Sequence, residues 1–406
     1  MLRDAVQYAM LMRVNRPNRH FAVLVVVVAA AVFAGCASDT SSGTPTTAKP
    51  TVTSAPEASA SPDSTTVAAK PVTTESVTTE SATSEPVVTE PATTESVVVA
   101  PADVRARPSA GCGTDAAVPG ETLVAEPDLA RPGRALEILP SAYDGVTPLP
   151  LVFDLHGYQS PLEIERLMSN FSAVGEREGF VVVTPQIDNV VPRWDATIGS
   201  ADVAFIGQLL DRELATHCID QARVYAAGLS NGAFMASAVA CDLSARVAAV
   251  GTVAGIRDLD GCTFARPVPV IAFHGTADTF VSYDGGFGPS VANLPTDDGG
   301  TLGTGAVLPS GPSVEEIAAA WAGRNGCNAD PPTSTEVAVD VKLLAFDCPA
   351  DATVELYRVT GGGHAWPGSA FSTSIASVVG TTTLSIDATE LMWSFFVAHP
   401  LQGSNP

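Results

Sequence analysis

Basic charge is scarce in this chain. Its 406 residues carry 21 Lys and Arg against 44 Asp and Glu, a formal net charge of −23. Most of the deficit falls from Ser109 onward, where 13 basic residues, with Lys342 the single lysine, face 34 acidic ones and leave −21. A field of that sign repels nucleic acid and other polyanions, so these are excluded as partners and neutral substrates are favoured. Metal-site spacing is missing too: there is no CxxC, no HExxH and no Cys/His cluster. Neither a metal nor any other cofactor is therefore expected. Long apolar runs are also lacking. "FAVLVVVVAAAVFAGC", 21–36, follows Arg13, Arg16 and Arg19. Its run of about 14 apolar residues is too short for a comfortable bilayer span but suits the core of a signal peptide.

The run ends in Phe33-Ala34-Gly35-Cys36, which has the small residues of a bacterial lipobox but Phe33 where Leu is usual. Residues 1–36 are expected to be a lipoprotein-type signal peptide, with Cys36 lipidated and the exported protein touching the membrane only through that anchor. Plain secretion with cleavage nearby is the alternative. From Ala37 to Pro108 aromatic residues are absent, and Ser, Thr, Pro, Val, Ala and Glu recur in near-repeats such as "TTESVTTESATSEP". Such a stretch cannot bury enough apolar surface to offset its chain entropy, so 37–108 reads as a disordered linker. Residues 109–406 are left as one globular domain, expected to be extracellular and monomeric. Six of the seven cysteines fall in it: Cys112, Cys218, Cys241, Cys262, Cys327 and Cys348. An even number in an exported domain implies disulfides, though composition leaves 15 pairings open.

Short apolar runs alternate with helical spacing along this domain. "LPLVFDLHG", "FVVVTP", "RVYAAG", "VAAVGTVAG", "PVPVIAFHG" and "TVELYRVT" read as strands. "PLEIERLMSNFSAVGEREG" reads as one helix with Ile164, Leu167, Met168, Phe171 and Val174 inward, and "ADVAFIGQLLDRELATHC" and "NGAFMASAVAC" as two more. "DATELMWSFFVAH" is the last helix, with Asp387 as its N-cap. Apolar strands alternating with amphipathic helices predict an α/β fold, a mostly parallel sheet with helices on both faces. The glycine-rich stretch Tyr283–Pro312 has no periodicity and reads as a rim, a lid or a surface insertion.

In such sheets ligands collect at the carboxyl ends of the strands. There "GLSNG", Gly228–Gly232, fits G-x-S-x-G at a strand-to-helix junction, which marks Ser230 as a nucleophile rather than an N-cap serine. A hydroxyl needs a base to take its proton and a carboxylate to orient that base, in the chain order Ser, Asp or Glu, His. Only His274, His364 and His399 follow Ser230. His274 reads as strand-end packing and His399 as surface. His364, in "GGGHAWPG", sits in a flexible loop after the last strand and is the expected base. The acid is Asp278, nearer the strand end than its competitor Asp284. Two amides are needed for the oxyanion, and Asn231 and Tyr158 are the candidates. Trp194 and Trp366, beside these loops, could line the substrate site by stacking on an aromatic or sugar ring, or could serve as packing aromatics.

Together "PLVFDLHGYQ", "GFVVVTP", "RVYAAGLSNGAFMA", "PVIAFHGTAD" and "GGGHAWPG" resemble the secreted poly(3-hydroxybutyrate) depolymerase and feruloyl-esterase-like group of α/β-hydrolases, over about 132–400. The resemblance implies an α/β-hydrolase fold, with Ser230, Asp278 and His364 as nucleophile, acid and base. It implies disulfides Cys241–Cys262 and Cys327–Cys348, with Cys112–Cys218 the pair that remains. The function it implies is an extracellular serine esterase acting on neutral carboxylic esters through an acyl-enzyme, of hydroxybutyrate-oligomer, feruloyl or acetyl-polysaccharide type. Leu136 in "GRALEILP", where the group commonly has Arg-x-Tyr, and the long Tyr283–Pro312 stretch depart from the pattern and bear on polymer degradation more than on ester hydrolysis. Two other readings use the same residues: a ligand- or polysaccharide-binding lipoprotein that kept the fold and lost the reaction, and a serine peptidase.

Overall fold

A computed structural model of the chain describes residues 105–114, 118–303 and 310–402. The expected signal segment, Cys36 and all but the last residues of the expected linker lie outside them. Arg107 and Pro108, at the end of that linker, are tied to the folded part: the Arg107 amide donates to Asp220 Oδ1 (2.8 Å) and its guanidinium to the Leu401 carbonyl.

Ten strands form one sheet: β1 Gly120–Glu126, β2 Gly133–Leu139, β3 Leu149–Leu155, β4 Val181–Ile187, β5 Ile219–Leu229, β6 Ala249–Val253, β7 Val270–Gly275, β8 Thr333–Ala338, β9 Val341–Ala345 and β10 Val354–Val359. Their order is β1-β2-β4-β3-β5-β6-β7-β10-β9-β8. From β4 to β10 every neighbouring pair is parallel. The two margins depart from that expectation, since β1, β2 and β4 pair antiparallel on one side and β10, β9 and β8 on the other. Parallel strands need covering on both faces, whereas antiparallel hairpins tolerate water on one. The margins are accordingly the wetter part: five of six residues of β8 are exposed.

Successive residues in the central strands serve opposite cores, as the two-residue strand period requires. Leu151, Phe153 and Leu155 pack on one face with Phe205, Met235 and Trp321, while Val152 joins Tyr225, Phe273 and Phe396 on the other. The first face is covered by α3 Ala201–Thr216, α4 Asn231–Asp242 and α5 Val314–Arg324; the second by α1 Leu162–Ser169, α2 Phe171–Glu178 and α8 Ala388–Ala398, the last after two short helices, α6 Ala370–Ser374 and α7 Ala376–Val379. The single helix read over 161–179 is thus two. Asn170 stands between them in the left-handed region (φ 56°), and the turn rotates the inner face of α1. Leu162, Glu165 and Met168 are buried there, while Leu167, expected inside, is 48% exposed. Asp387 caps α8 as expected, accepting from the amides of Thr389 and Glu390.

The cysteines pair as Cys112–Cys218, Cys241–Cys262 and Cys327–Cys348. In the chain-entropy model such closures contribute on the order of 3 kcal/mol for a loop of about 20 residues and nearer 5 for about 100. The Cys112–Cys218 bridge, spanning 106 residues, is the one that ties the entry segment to the sheet.

Candidate active site

The strand ends line up on one edge. Leu155 pairs with Gly228, Leu229 with Val253, Val253 with Phe273, and Gly275 with Val359. The loops leaving β3, β5, β6, β7 and β10 therefore rise side by side.

Ser230 occupies the turn from β5 into α4 with φ 57° and ψ −117°. A residue with a Cβ holds such a conformation at a cost of order 1–3 kcal/mol and only where its surroundings over-determine it. Here the Ser230 amide donates to Val253 O (2.8 Å) and its carbonyl accepts from Phe234 N (3.0 Å). The flanking glycines are steric necessities. A Cβ on Gly232 would lie 1.9 Å from Leu155 O, and one on Gly228 2.6 Å from the Gly232 backbone. Ser230 stands at the N-cap position of α4, but its hydroxyl makes no capping bond to the helix.

Asp278 follows β7 and is 7% exposed. Its Oδ1 accepts from the amides of Phe280 (2.8 Å) and Val281 (3.0 Å). Its Oδ2 lies 2.7 Å from His364 Nδ1. Burial pushes this carboxyl up, but the His364 charge and hydrogen bonds from His274 and His364 outweigh it and hold the group well below the usual carboxylate range. An ionised carboxylate can only accept, so a proton sits on His364 Nδ1, and in the neutral ring the lone pair falls on Nε2. Asp284 is exposed and plays no part in this contact.

The glycines before His364 do not make a loose loop, contrary to expectation. Ala277 N donates to Gly362 O (2.8 Å), Gly363 N to Thr381 O (2.8 Å) and His364 N to Val379 O (2.6 Å). A Cβ on Gly275 would meet Gly362 O at 2.2 Å, and one on Gly363 would meet Val379 O at 2.2 Å. Glycine is there because backbones touch, and the imidazole is held rather than allowed to wander. Phe280 packs on its ring at 4.9 Å.

Asn231 and Tyr158 both stand on this edge, after β5 and β3. Asn231 has a second duty unforeseen from the sequence: its side-chain amide clasps Trp194, accepting from Trp194 N (2.7 Å) and donating to Trp194 O (3.1 Å). The Tyr158 hydroxyl donates to Pro295 O (2.8 Å), and Arg193 forms a two-pronged ion pair with Asp297 (2.7 and 2.6 Å). The described part of the Tyr283–Pro312 stretch is thus fastened to the loops after β3 and β4.

Both tryptophans correct the expectation that they line the site. Trp194 is 4% exposed, donates its indole N–H to His156 O (3.0 Å) and lies against the His156 ring at 4.7 Å. Trp366 is 1% exposed, bonds Thr389 Oγ1 (2.9 Å) and packs edge-on against Phe171. These are packing aromatics, because the loops bearing them fold inward over the cores.

Two histidines differ from expectation. His274 is more than strand-end packing: its Nε2 donates to Val281 O (2.9 Å) and lies 3.4 Å from Asp278 Oδ2. Its position four residues before Asp278 was the available signal, since both flank the turn that ends β7. His399 is part-buried rather than on the surface, bonding Phe395 O and Thr353 Oγ1. Among the described residues one buried group has metal-ligand chemistry, Glu137, Glu213 and His217. Arg212 already supplies the cation there, pairing with Glu137, Glu213 and Glu126.

The parallel sheet, the nucleophile-type turn after β5 and the ordered loops after β7 and β10 define an α/β-hydrolase fold. Residues 134–265 match the family model described as Esterase PHB depolymerase. The chain is 27% identical over 239 residues to feruloyl esterase B of Piromyces equi, covering 56% of this chain and 41% of that protein. It is 37% identical over 116 residues to poly(3-hydroxyalkanoate) depolymerase C of Paucimonas lemoignei, covering 26% and 28%. The chain spans between 20% and 56% of the length of the first curated relatives it matches. Among solved structures it is similar to an acetyl xylan esterase from Aspergillus awamori, with 16% identity, 60% and 94% coverage and a TM-score of 0.44.

Proposed function

We propose that this protein is a serine carboxylic-ester hydrolase, with Ser230 as nucleophile, His364 as base and Asp278 as the acid that orients it. One observation carries the reading: the 2.7 Å contact between Asp278 and His364 Nδ1, on the strand edge where Ser230 is held in a left-handed turn. His364 Nε2 takes the Ser230 proton as Oγ attacks the ester carbonyl. The amides of Asn231 and Tyr158 receive the charge that develops on oxygen, each worth about 3 kcal/mol of transition-state stabilisation. His364 then returns the proton to the departing alcohol, and water, activated the same way, releases the acid from Ser230.

The esters are of the feruloyl, acetyl-polysaccharide or hydroxyalkanoate type, the chemistry named by the relatives. The catalytic domain, from residue 109, works outside the cytoplasm as a monomer, joined by the linker 37–108 to a lipid on Cys36. Three disulfides support an oxidising compartment.

Ser230→Ala is the direct test. The expected outcome is a burst of 4-nitrophenol from 4-nitrophenyl butyrate and fluorophosphonate labelling in the parent chain, with both lost in the variant. Full hydrolysis by Ser230→Ala would end the reading. Absence of both labelling and hydrolysis in the parent would favour a binding protein, and faster cleavage of peptide amides than esters a peptidase. For the anchor, Cys36→Ala is expected to move the protein from the membrane fraction to the medium.

A further inference from the structure

Arg257 forms no ion pair with any described carboxylate. It leaves the carboxyl end of β6, and its backbone is pinned from both sides: its amide donates to Ser237 Oγ (3.2 Å) and its carbonyl accepts from Trp321 Nε1 (2.8 Å). The guanidinium lies over the Phe234 ring at 4.6 Å and near the Phe287 ring at 5.5 Å. Two aromatic faces hold its plane, and no side-chain hydrogen bond or ion pair to a described residue engages its five donors. The neighbouring acid, Asp258, is ion-paired with Arg324 instead. Residues 304–309, next to this region in the chain, contain no acidic residue. Burial draws the guanidinium down from its ordinary range, and no neighbouring charge offsets it.

The same arginine lines a cavity of about 180 Å³, with Val281, Ser282, Phe287 and Ile317 among its walls. That cavity adjoins the reacting edge. Phe234, under the guanidinium, is one helical turn beyond Ser230 and donates its amide to the Ser230 carbonyl. Val281 donates its amide to Asp278. A Cβ on Gly255, two residues before Arg257, would fall 2.5 Å from Ser230 O. An unanswered, half-buried, rigidly held guanidinium beside an acyl-transfer site is built to receive a planar anion.

We infer that Arg257 is a carboxylate-binding subsite, so that the preferred substrates are esters whose acyl or alcohol part ends in a free carboxylate. This deepens and rests on the esterase reading above. It departs from the expectation of neutral substrates drawn from net charge. That field is a sum over the surface and is screened beyond about 8–10 Å in physiological salt, whereas a partly desolvated contact is screened far less.

Two measurements on the full-length chain test it. The first is the ratio of kcat/KM for 4-nitrophenyl hydrogen glutarate, which carries a carboxylate, to that for 4-nitrophenyl valerate, its neutral counterpart. In Arg257→Gln this ratio is expected to fall about 10- to 100-fold, the range for a lost charged hydrogen bond, and Arg257→Lys is expected to recover part of it. An unchanged ratio overturns the subsite while leaving ester hydrolysis intact. The second uses calorimetry on Ser230→Ala, where no turnover interferes. Monomethyl glutarate is expected to bind at least about tenfold more tightly than dimethyl glutarate, and equal affinities overturn the proposal. If neither nitrophenyl ester is hydrolysed by the parent chain but that preference holds, the esterase reading fails and the anion site stands.

Discussion

Two groups of buried carboxyls near the reacting edge meet opposite fates. Asp278 is 7% exposed, and Asp154 and Glu165 are 1% and 0% exposed, so all three are withdrawn from water. Asp278 is surrounded by donors: two backbone amides, His364, and His274 close by. It stays ionised. Asp154, inside β3, receives one hydroxyl, from Ser169 at 2.6 Å, and its Oδ1 has no partner. Burial raises it to about 7. Glu165 is driven well above the usual carboxyl range by burial and by Asp154 beside it, outweighing the pull of the Gly157 amide. Burial alone disfavours charge; the count of donors decides whether charge survives.

The difference has a chemical use. β3 leads straight into the Gly157–Tyr158 loop, where the proposed mechanism places the developing oxyanion, and a fixed negative charge behind that loop would oppose it. His156, in the same segment, is pushed by burial down to about 4 and gives its Nδ1 proton to Gly157 O. Below about pH 7 the ground behind this loop is therefore kept mostly neutral, while the ground behind the imidazole is kept negative.

The largest break in this contrast comes from Asp278→Asn. An amide cannot hold the Nδ1–H tautomer of His364, and kcat on 4-nitrophenyl butyrate is expected to fall about 10⁴-fold, as for a triad acid elsewhere. A loss below tenfold would mean another contact sets the tautomer. The same variant tests linkage. Asp278 has a depressed native pKa, so its contribution to stability is present above the ordinary carboxyl value of 3.8 and is lost as pH falls below it. Urea unfolding is expected to find Asp278→Asn less stable than the parent at neutral pH, the gap closing in acid.

His274→Gln is a smaller step, with kcat/KM expected to fall up to about tenfold, the scale of one hydrogen bond. Because His274 acts through Asp278, it is a positioning residue. The falling acid limb of the kcat/KM–pH profile is expected to move as well, and an unmoved profile would reduce its role to packing.

Asp154→Asn sharpens the contrast with the least effect on rate. A carboxyl already protonated near neutrality is mimicked by an amide, so activity at pH 6 is expected to stay within about threefold of the parent. Stability should respond in the opposite sense to Asp278. Asp154 has a raised native pKa, so the parent keeps its full contribution below about pH 4 and loses it as pH rises through about 7. Urea unfolding at pH 5 and pH 8 is expected to show a shallower decline in the variant. An identical decline would mean that Asp154 is ionised in the native state.

Much of the site was legible because its signals are local. A serine between glycines at a strand-to-helix junction, and a histidine among glycines after the last strand, can be read without knowing the fold. The reason for the glycines could not be read. Gly275 and Gly362 meet across segments more than 80 residues apart in the chain, and Gly363 is required by contact with Val379 and Gly380 in the following helix end. The two tryptophans misled for the same reason, since position beside a loop says nothing about which way the loop folds. The break at Asn170 was hidden because its left-handed conformation interrupts a pattern that the side chains continue.

Short-range physics was enough to determine the alternation of strands and helices, the parallel centre of the sheet, the capping of α8 by Asp387, and the order of serine, aspartate and histidine. Strand and helix periods and turn chemistry are properties of a few consecutive residues. Tertiary structure alone decided the antiparallel margins, the choice of Asp278 over Asp284, the second histidine at that carboxylate, the unanswered Arg257, and which buried acids keep their protons. Each of these depends on how much water a group loses and which donors distant segments bring to it.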